Sequence, residues 1–260
     1  MKTHEMATAG GATPYISVRD LTMVYGSHVL MRDMTFSVNQ GDVFVIMGAS
    51  GSGKSTLLRH LIGLNEPAHG SIYYRAENFT SADSSQRERI LRNVGILFQG
   101  GALWSAMTLS ENVGLLLEEY TDLTPAQIRQ VAALKLALVG LRGFEDYYPS
   151  EISGGMQKRA GLARAMALDP DILFFDEPSA GLDPISARRL DELILQLRDS
   201  LGITAVVVSH DLASIFAIGT NSVYLDVSSQ AITASGPPAE LLARTEDSTL
   251  RSFLTRGGNP

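Results

Sequence analysis

The stretch Val43-Phe44-Val45-Ile46-Met47-Gly48-Ala49-Ser50-Gly51-Ser52-Gly53-Lys54-Ser55 decides the fold. It opens with an unbroken apolar run, which is typical of a parallel β-strand covered on both faces. The polar part that follows matches the glycine-rich phosphate-loop pattern in full. A helix is predicted to continue from Lys54 to Ile62, with Gly63 as its stop. A buried strand, a glycine-rich turn and a helix in this order predict an α/β protein that binds a polyphosphate.

The glycine-rich turn supplies the first candidate binding residues. Glycines let such a loop curl until its backbone N–H groups point inward at phosphate oxygens, and the helix N-terminus adds positive potential. Lys54 is expected to bring a point charge to the outer phosphates, and the Ser55 hydroxyl to ligate Mg²⁺. A plain turn rich in Gly and Ser is the alternative, and the flanking strand and helix disfavour it. The candidate nucleotide-binding residues here are Gly48, Ser50, Gly51, Ser52, Gly53, Lys54, Ser55 and Thr56, the last of which is also an ordinary helix position.

A second apolar strand, Ile172–Phe175, ends in Asp176-Glu177-Pro178. Strands of an open α/β sheet deliver their last residues to the edge where ligands bind. Asp176 is therefore a candidate Mg²⁺ ligand, and Glu177 a candidate to orient or deprotonate an attacking water. A solvated acidic strand end is the alternative, and the phosphate loop weighs against it.

The rest of the chain predicts one domain with an inserted lobe. Strand-rich patterns in 15–38 precede the core, a helical stretch covers about 101–155, and strands then alternate with helices, which favours a parallel sheet. We predict a disordered leader over 1–14, which lacks the apolar segment of a signal peptide. The main domain is predicted over 15–236, and 237–260 as a tail of short helices.

Composition excludes several classes of protein. The 260 residues are 45% hydrophobic, enough for a sizeable core, and the formal net charge is -7. Gripping nucleic acid requires clustered Lys and Arg, so no nucleic-acid partner is expected. The absence of cysteine excludes disulfides and thiolate metal sites. No apolar run approaches the roughly 18–20 residues that span a bilayer, so a membrane role requires a partner.

A third motif, Ile152-Ser153-Gly154-Gly155-Met156-Gln157-Lys158-Arg159, resembles the signature of the ABC ATPase family. Ser153 is expected to cap the following helix, and the two glycines let backbone N–H groups approach an anion. The other family landmarks appear in order along the chain, and the resemblance covers about Ile16 to Gly236. It implies a P-loop NTPase (RecA-like) α/β core with an antiparallel β subdomain and an inserted helical subdomain. Further positions that match the family are Tyr25 (adenine stacking), Gln99 (lid), Asp183 (loop across the dimer) and His210 (switch).

The resemblance also implies a reaction and its cofactors, ATP and Mg²⁺. It assigns catalysis to Glu177, His210, Lys54 and Gln99, and metal binding to Ser55, Gln99 and Asp176. It further implies a head-to-tail pair of identical chains, in which Ser153, Gly154, Gly155 and Asp183 of one chain face the nucleotide of the other.

Two further features are similar to ATPases of the Mla and Mce lipid-transport systems. They are the segment Gly100 to Val113, which follows Gln99, and Met156 in the signature. That similarity implies an integral membrane lipid permease, an MCE-domain protein and, in some members, a STAS-domain subunit, at the cytoplasmic face of the inner membrane. An importer of amino acids or small polar solutes is the alternative. A soluble ABC protein that acts on ribosomes or DNA is disfavoured, because a single phosphate loop is present and the charge is acidic.

Trp104, the only Trp of the sequence, and Met107 lie just beyond Gln99. Two interpretations remain open at this stage. The pair either lines a groove for a permease helix or packs inside the helical lobe.

Overall fold

Two β-sheets and a set of helices make up the computed structural model, which describes residues 14–26 and 28–255. The strands are β1 (Pro14–Tyr25), β2 (His28–Asn39), β3 (Val43–Gly48), β4 (His69–Tyr74), β5 (Glu77–Asn78), β6 (Val94–Leu97), β7 (Ile172–Asp176), β8 (Thr204–Val208), β9 (Asn221–Asp226) and β10 (Ala231–Ser235). The helices are α1 (Lys54–Leu61), α2 (Ser84–Leu91), α3 (Leu109–Tyr120), α4 (Pro125–Leu138), α5 (Gly154–Ala165), α6 (Pro184–Leu201), α7 (Leu212–Ile218), α8 (Pro238–Arg244) and α9 (Ser248–Leu254).

The larger sheet runs in the order β10-β9-β3-β8-β7-β6 and is parallel from β9 to β6. The smaller sheet, β2-β1-β4-β5, is antiparallel. Every residue of β3 is buried, because successive side chains point to opposite faces and both faces are covered. In β7, Ile172 and Phe174 enter one apolar core, and Leu173 and Phe175 enter the other.

Helices α3, α4 and α5 form the inserted lobe and pack against one another. Two of them begin with a reciprocal cap. Thr108 accepts from the Glu111 backbone while the Glu111 side chain accepts from Thr108, and Thr124 and Gln127 repeat the arrangement at α4. These caps fix where α3 and α4 of the lobe begin.

The predicted fold class, an α/β core with an antiparallel subdomain and an inserted helical lobe, is confirmed. Local boundaries differ. Pro14, assigned to the leader, begins β1, and the rest of the leader lies outside the described residues. Within the described residues, no helix is long and apolar enough to cross a membrane.

Candidate nucleotide site

The glycine-rich loop joins β3 to α1 and is held open by its glycines. Gly48, Gly51 and Gly53 have φ values of 155°, 79° and 87°, which side chains rarely adopt. A Cβ on Gly48 would lie 2.6 Å from Ser52 Oγ and 2.7 Å from the Leu225 carbonyl oxygen. Gly53 stands at the N-cap of α1, where no side chain forms a capping hydrogen bond. The first N–H groups of α1 are therefore available to an anion.

Lys54, the first residue of α1, is buried beneath this loop. Its Nζ donates to the carbonyl oxygens of Gly48 and Ala49 at 3.0 and 2.9 Å. Burial lowers the pKa of the Lys54 ammonium, and the charges of Glu177 and Asp176 oppose that shift. A desolvated cation at the N-terminus of a helix attracts a polyphosphate.

Ser55 and Asp176 meet beside the loop, where the Ser55 hydroxyl donates to Asp176 Oδ1 at 2.8 Å. They come from α1 and from the end of β7, far apart in sequence. Gln99, which follows β6, lines the same cavity as Ser55. A hydroxyl, a carboxylate and an amide oxygen are the hard oxygen donors that suit Mg²⁺. The three residues therefore fit the cofactor that the resemblance implies.

Glu177 and His210 lie next to each other at one end of the site. Glu177 adopts a left-handed φ of 50°, and its Oε2 lies 2.8 Å from His210 Nδ1. That oxygen is buried, and no donor in the described part of the chain is aligned on it as a hydrogen bond. A buried carboxylate oxygen with this spare capacity, beside a phosphate loop, is placed to accept a proton from water.

One cavity of about 1070 Å³ brings most of these residues together. Tyr25 stands at its mouth with 78% of its surface exposed, as an aromatic face that a base could stack on. The predicted site residues that line the cavity are Tyr25, Gly48, Ser50, Gly51, Ser52, Gly53, Lys54, Ser55, Thr56, Gln99, Glu177 and His210. Ala49 completes the loop.

The signature residues do not line this cavity, nor does Asp183. Ser153 caps α5 by accepting from the Met156 N–H at 3.3 Å, and Ser153 and Gly154 are exposed. Asp183 is exposed as well and caps α6, and its hydrogen bonds from Ser186 hold the pKa of its carboxyl below the ordinary value. The start of α5 is therefore an exposed helix N-terminus that lies outside the chain's own nucleotide cavity.

The structure adds lining residues that the motifs did not predict: Leu30, Leu212, Tyr224, Thr249, Ser252 and Phe253. The rings of Tyr224 and Phe253 lie 5.2 Å apart, which brings α9 of the tail against the cavity. No motif marks these residues. They reach the site because α9 packs on Val45, Met47 and Tyr224 of the larger sheet.

The exposure of Trp104 decides between the two interpretations of this residue, a groove for a permease helix or packing inside the helical lobe. Trp104 is 60% exposed and therefore does not pack inside the lobe, whereas Met107 is half-buried. Asn112 is buried behind them and donates to the carbonyl oxygens of Trp104, Met107 and Thr108. It also accepts from the Trp104 N–H at 2.7 Å, so the loop that carries the indole is fixed.

The structure combines a phosphate loop on a parallel sheet, an acidic strand end beside that loop and an inserted helical lobe that begins α5 with the signature residues. Together these features define an ATPase of the nucleotide-binding cassette class. Residues 31–180 match the family described as ABC transporter. The chain belongs to the ABC transporter family, as an ATP-binding subunit that hydrolyses ATP.

Relatives and solved structures agree with this assignment. The chain is 39% identical over 92% of its length to the intermembrane phospholipid transport system ATP-binding protein MlaF of Escherichia coli (strain K12), and covers 88% of it. It is 38% identical, over 66% of that protein, to the probable ribonucleotide transport ATP-binding protein mkl of Mycobacterium tuberculosis (strain ATCC 25618 / H37Rv).

Among solved structures, cbiO1 of Clostridium perfringens, part of the ABC transporter complex cbiONQ, superimposes with a TM-score of 0.81 at 25% identity. That match covers 94% of this chain and 96% of the other. The dimeric post-hydrolysis structure of the cassette MJ0796 with ADP and Pi gives a TM-score of 0.76 at 27% identity, over 85% and 98% of the two chains.

Proposed function

We propose that this chain energises a bacterial transporter that moves phospholipid or another lipid across the envelope. The observation that carries the proposal is the 39% identity to MlaF over 92% of the chain, because MlaF is by its name a phospholipid transport protein. The signature Met156 and the sequence from Gly100 to Val113 support the same subfamily.

The proposed chemistry begins with binding of ATP in the cavity beneath Tyr25. The loop N–H groups and Lys54 neutralise the outer phosphates, and Glu177 accepts a proton from the attacking water. His210, next to the Glu177 carboxylate, orients that group toward the γ-phosphate. Most of the rate enhancement comes from this positioning and charge stabilisation.

Mg²⁺ belongs to the proposal through Ser55, Asp176 and Gln99. When bound, it neutralises charge that develops on the β- and γ-phosphate oxygens. The Ser55 hydroxyl and the Asp176 carboxylate already lie within 2.8 Å of each other, so holding the ion requires little rearrangement of this chain.

The active unit in this proposal is a head-to-tail pair of identical chains. Ser153, Gly154 and Gly155 lie outside their own nucleotide cavity, on an exposed helix start that is suited to an anion. A symmetric pair lets each chain close its signature over the γ-phosphate of the other, which completes two sites at once. Asp183 is likewise exposed and lies outside the chain's own nucleotide cavity.

The membrane partners are an integral membrane lipid permease and an MCE-domain protein, with a STAS-domain subunit as a further candidate. The chain acts at the cytoplasmic face of the inner membrane, held there by the permease. Exposed Trp104, on a loop fixed by Asn112, supports docking of a permease helix near Gln99.

Reconstitution tests the proposal. The chain is co-expressed with its candidate lipid permease and candidate MCE-domain partner, placed in lipid nanodiscs and supplied with Mg-ATP. Transfer of a fluorescent phospholipid should require ATP and cease with Glu177→Gln, while Glu192→Gln, an exposed acid on α6, should behave as the parent. ATPase activity that is stimulated by amino acids or ribonucleotides, without lipid transfer, would replace the proposal with a polar-solute importer.

A further inference from the structure

Lys158 is a buried cation that no step of the proposed chemistry uses. It lies in the second turn of α5, beyond the signature residues, and is 6% exposed. It does not line the nucleotide cavity. Its Nζ donates to two backbone carbonyl oxygens, those of Pro178 at 2.6 Å and Ala180 at 2.5 Å.

These two carbonyls belong to the short loop that joins Glu177 to Asp183. A buried ammonium is costly unless its donors find acceptors, and here the loop backbone supplies them. Burial lowers the pKa of the Lys158 ammonium, while the charge of Glu177 opposes the shift. The Lys158 ammonium therefore interacts electrostatically with the Glu177 carboxylate and is hydrogen-bonded to the backbone that follows Glu177.

A second contact joins the same two segments. A Cβ on Gly155 would lie 3.5 Å from Ser186 Oγ and 3.8 Å from Leu182 Cδ2, so the start of α5 rests against the start of α6. Asp183 is the N-cap between Leu182 and Ser186. The start of α5 and the Glu177–Asp183 loop therefore pack against each other, and the Lys158 ammonium is hydrogen-bonded to the backbone of that loop.

We propose that Lys158 is a positioning residue that couples the two nucleotide sites of the paired chains through one subunit. The inference rests on the proposed function, because only in a head-to-tail pair do Ser153 and Glu177 of one chain serve different nucleotides. When Ser153 engages the partner's γ-phosphate, α5 shifts and Lys158 moves the Pro178–Ala180 backbone with it. Glu177 then reaches its working position over the chain's own nucleotide.

The test uses the full-length chain and three variants. Lys158→Met removes the charge and keeps the volume, and Lys158→Arg restores donors to both carbonyls. Lys135→Met is the matched control, because Lys135 is a second buried lysine of the lobe, on α4, and pairs with Asp169 away from the catalytic loop. Affinity for Mg-ATP, kcat, the Hill coefficient for ATP and the Tm are measured for each.

For Lys158→Met we expect unchanged affinity for Mg-ATP, a kcat about 10- to 100-fold lower and loss of cooperativity. Lys158→Arg should regain most of both, and Lys135→Met should keep both whatever happens to its Tm. If Lys158→Met does not fold, Lys158→Gln replaces it with the same expectations.

The outcomes separate the inference from the proposed function. If the parent chain bound no ATP or hydrolysed none, that result would contradict the proposed function. With an active parent, a folded Lys158→Met or Lys158→Gln protein that keeps kcat and cooperativity would overturn the inference alone. An equal loss of kcat in Lys135→Met would do the same, because it would identify general destabilisation as the cause.

Discussion

Oε2 of Glu177 and Nδ1 of His210 lie 2.8 Å apart although 33 positions separate the two residues in sequence (210 − 177). The register of two parallel strands accounts for this. Asp176 of β7 pairs with Val208 of β8, and the Glu177 N–H donates to the Val208 carbonyl oxygen at 3.0 Å. Both side chains therefore emerge at the carboxyl edge of the sheet, directly above the phosphate loop that follows β3.

Glu177→Gln should bind ATP and hydrolyse it very slowly. The amide keeps the shape of the side chain but has little affinity for a proton, and general-base groups typically contribute about 10²- to 10⁴-fold to a rate. Steady-state ATPase assays and nucleotide binding on the same preparation measure both effects. The ATP-bound variant should also accumulate as a dimer in size-exclusion chromatography. Turnover near that of the parent would remove Glu177 from its proposed role.

Gly48→Ala should abolish ATP binding with little effect on the rest of the fold. The added Cβ would lie 2.6 Å from Ser52 Oγ and 2.7 Å from a strand carbonyl oxygen, so the loop must shift. Gly41→Ala is the matched control, since Gly41 also has a positive φ, 78°, but open space around it. Titration with a fluorescent ATP analogue distinguishes the two variants. Equal affinity in both variants would mean that ATP binding does not depend on the close approach at Gly48.

Much of the site could be predicted because its residues are local to strand ends. The phosphate loop and the Asp176-Glu177 pair each follow an apolar run, and their conformations depend on residues within a few positions. The sequence also locates the cap at Ser153, since a cap is a contact within one turn.

Other features depend on contacts that no local pattern encodes. The sequence predicts strand-rich structure over 15–38 but not the bounds of the strands, of which β1 spans Pro14–Tyr25. Irregular pairing around Asp20, which has a φ of 50°, breaks the alternation on which that prediction rests. Phe253 reaches the nucleotide cavity through packing of α9 on Tyr224, and Lys158 finds its acceptors on a loop beyond α5. Such long-range contacts require the assembled sheet.

Asp191→Asn should raise the stability of the protein near neutral pH and not in acid. Asp191 of α6 is 9% exposed and accepts from Ser214 Oγ of α7 at 2.7 Å. Burial raises the pKa of its carboxyl above 3.8, more than the Ser214 hydrogen bond lowers it, and the charges of Asp211 and Glu192 add to the rise.

A carboxyl whose pKa is higher in the folded state favours folding while it is protonated, and that contribution falls as pH rises from about 3.8 through the raised pKa. The neutral amide avoids this loss. Thermal unfolding of parent and variant between acid and neutral pH measures the effect, and the Tm gain should shrink as pH falls toward 3.8. A variant that is less stable at every pH would mean that the Ser214 contact requires the carboxylate.

Trp104→Ala should weaken binding to the permease and leave ATP affinity unchanged. The indole is 60% exposed, and the Asn112 hydrogen bonds hold its loop, so removal of the ring costs the isolated chain little. Buried at an interface, an aromatic anchor of this size typically contributes about 2 kcal/mol or more. Leu134→Ala is the control, because Leu134 is a 58% exposed apolar residue of the same lobe, on α4. Co-purification with the permease and titration with ATP separate the two properties. Two outcomes would contradict this prediction: an equal loss of permease binding and ATP affinity, or a fall in Tm that Leu134→Ala does not share. Either would mean that Trp104 stabilises the lobe itself and that the permease docks elsewhere.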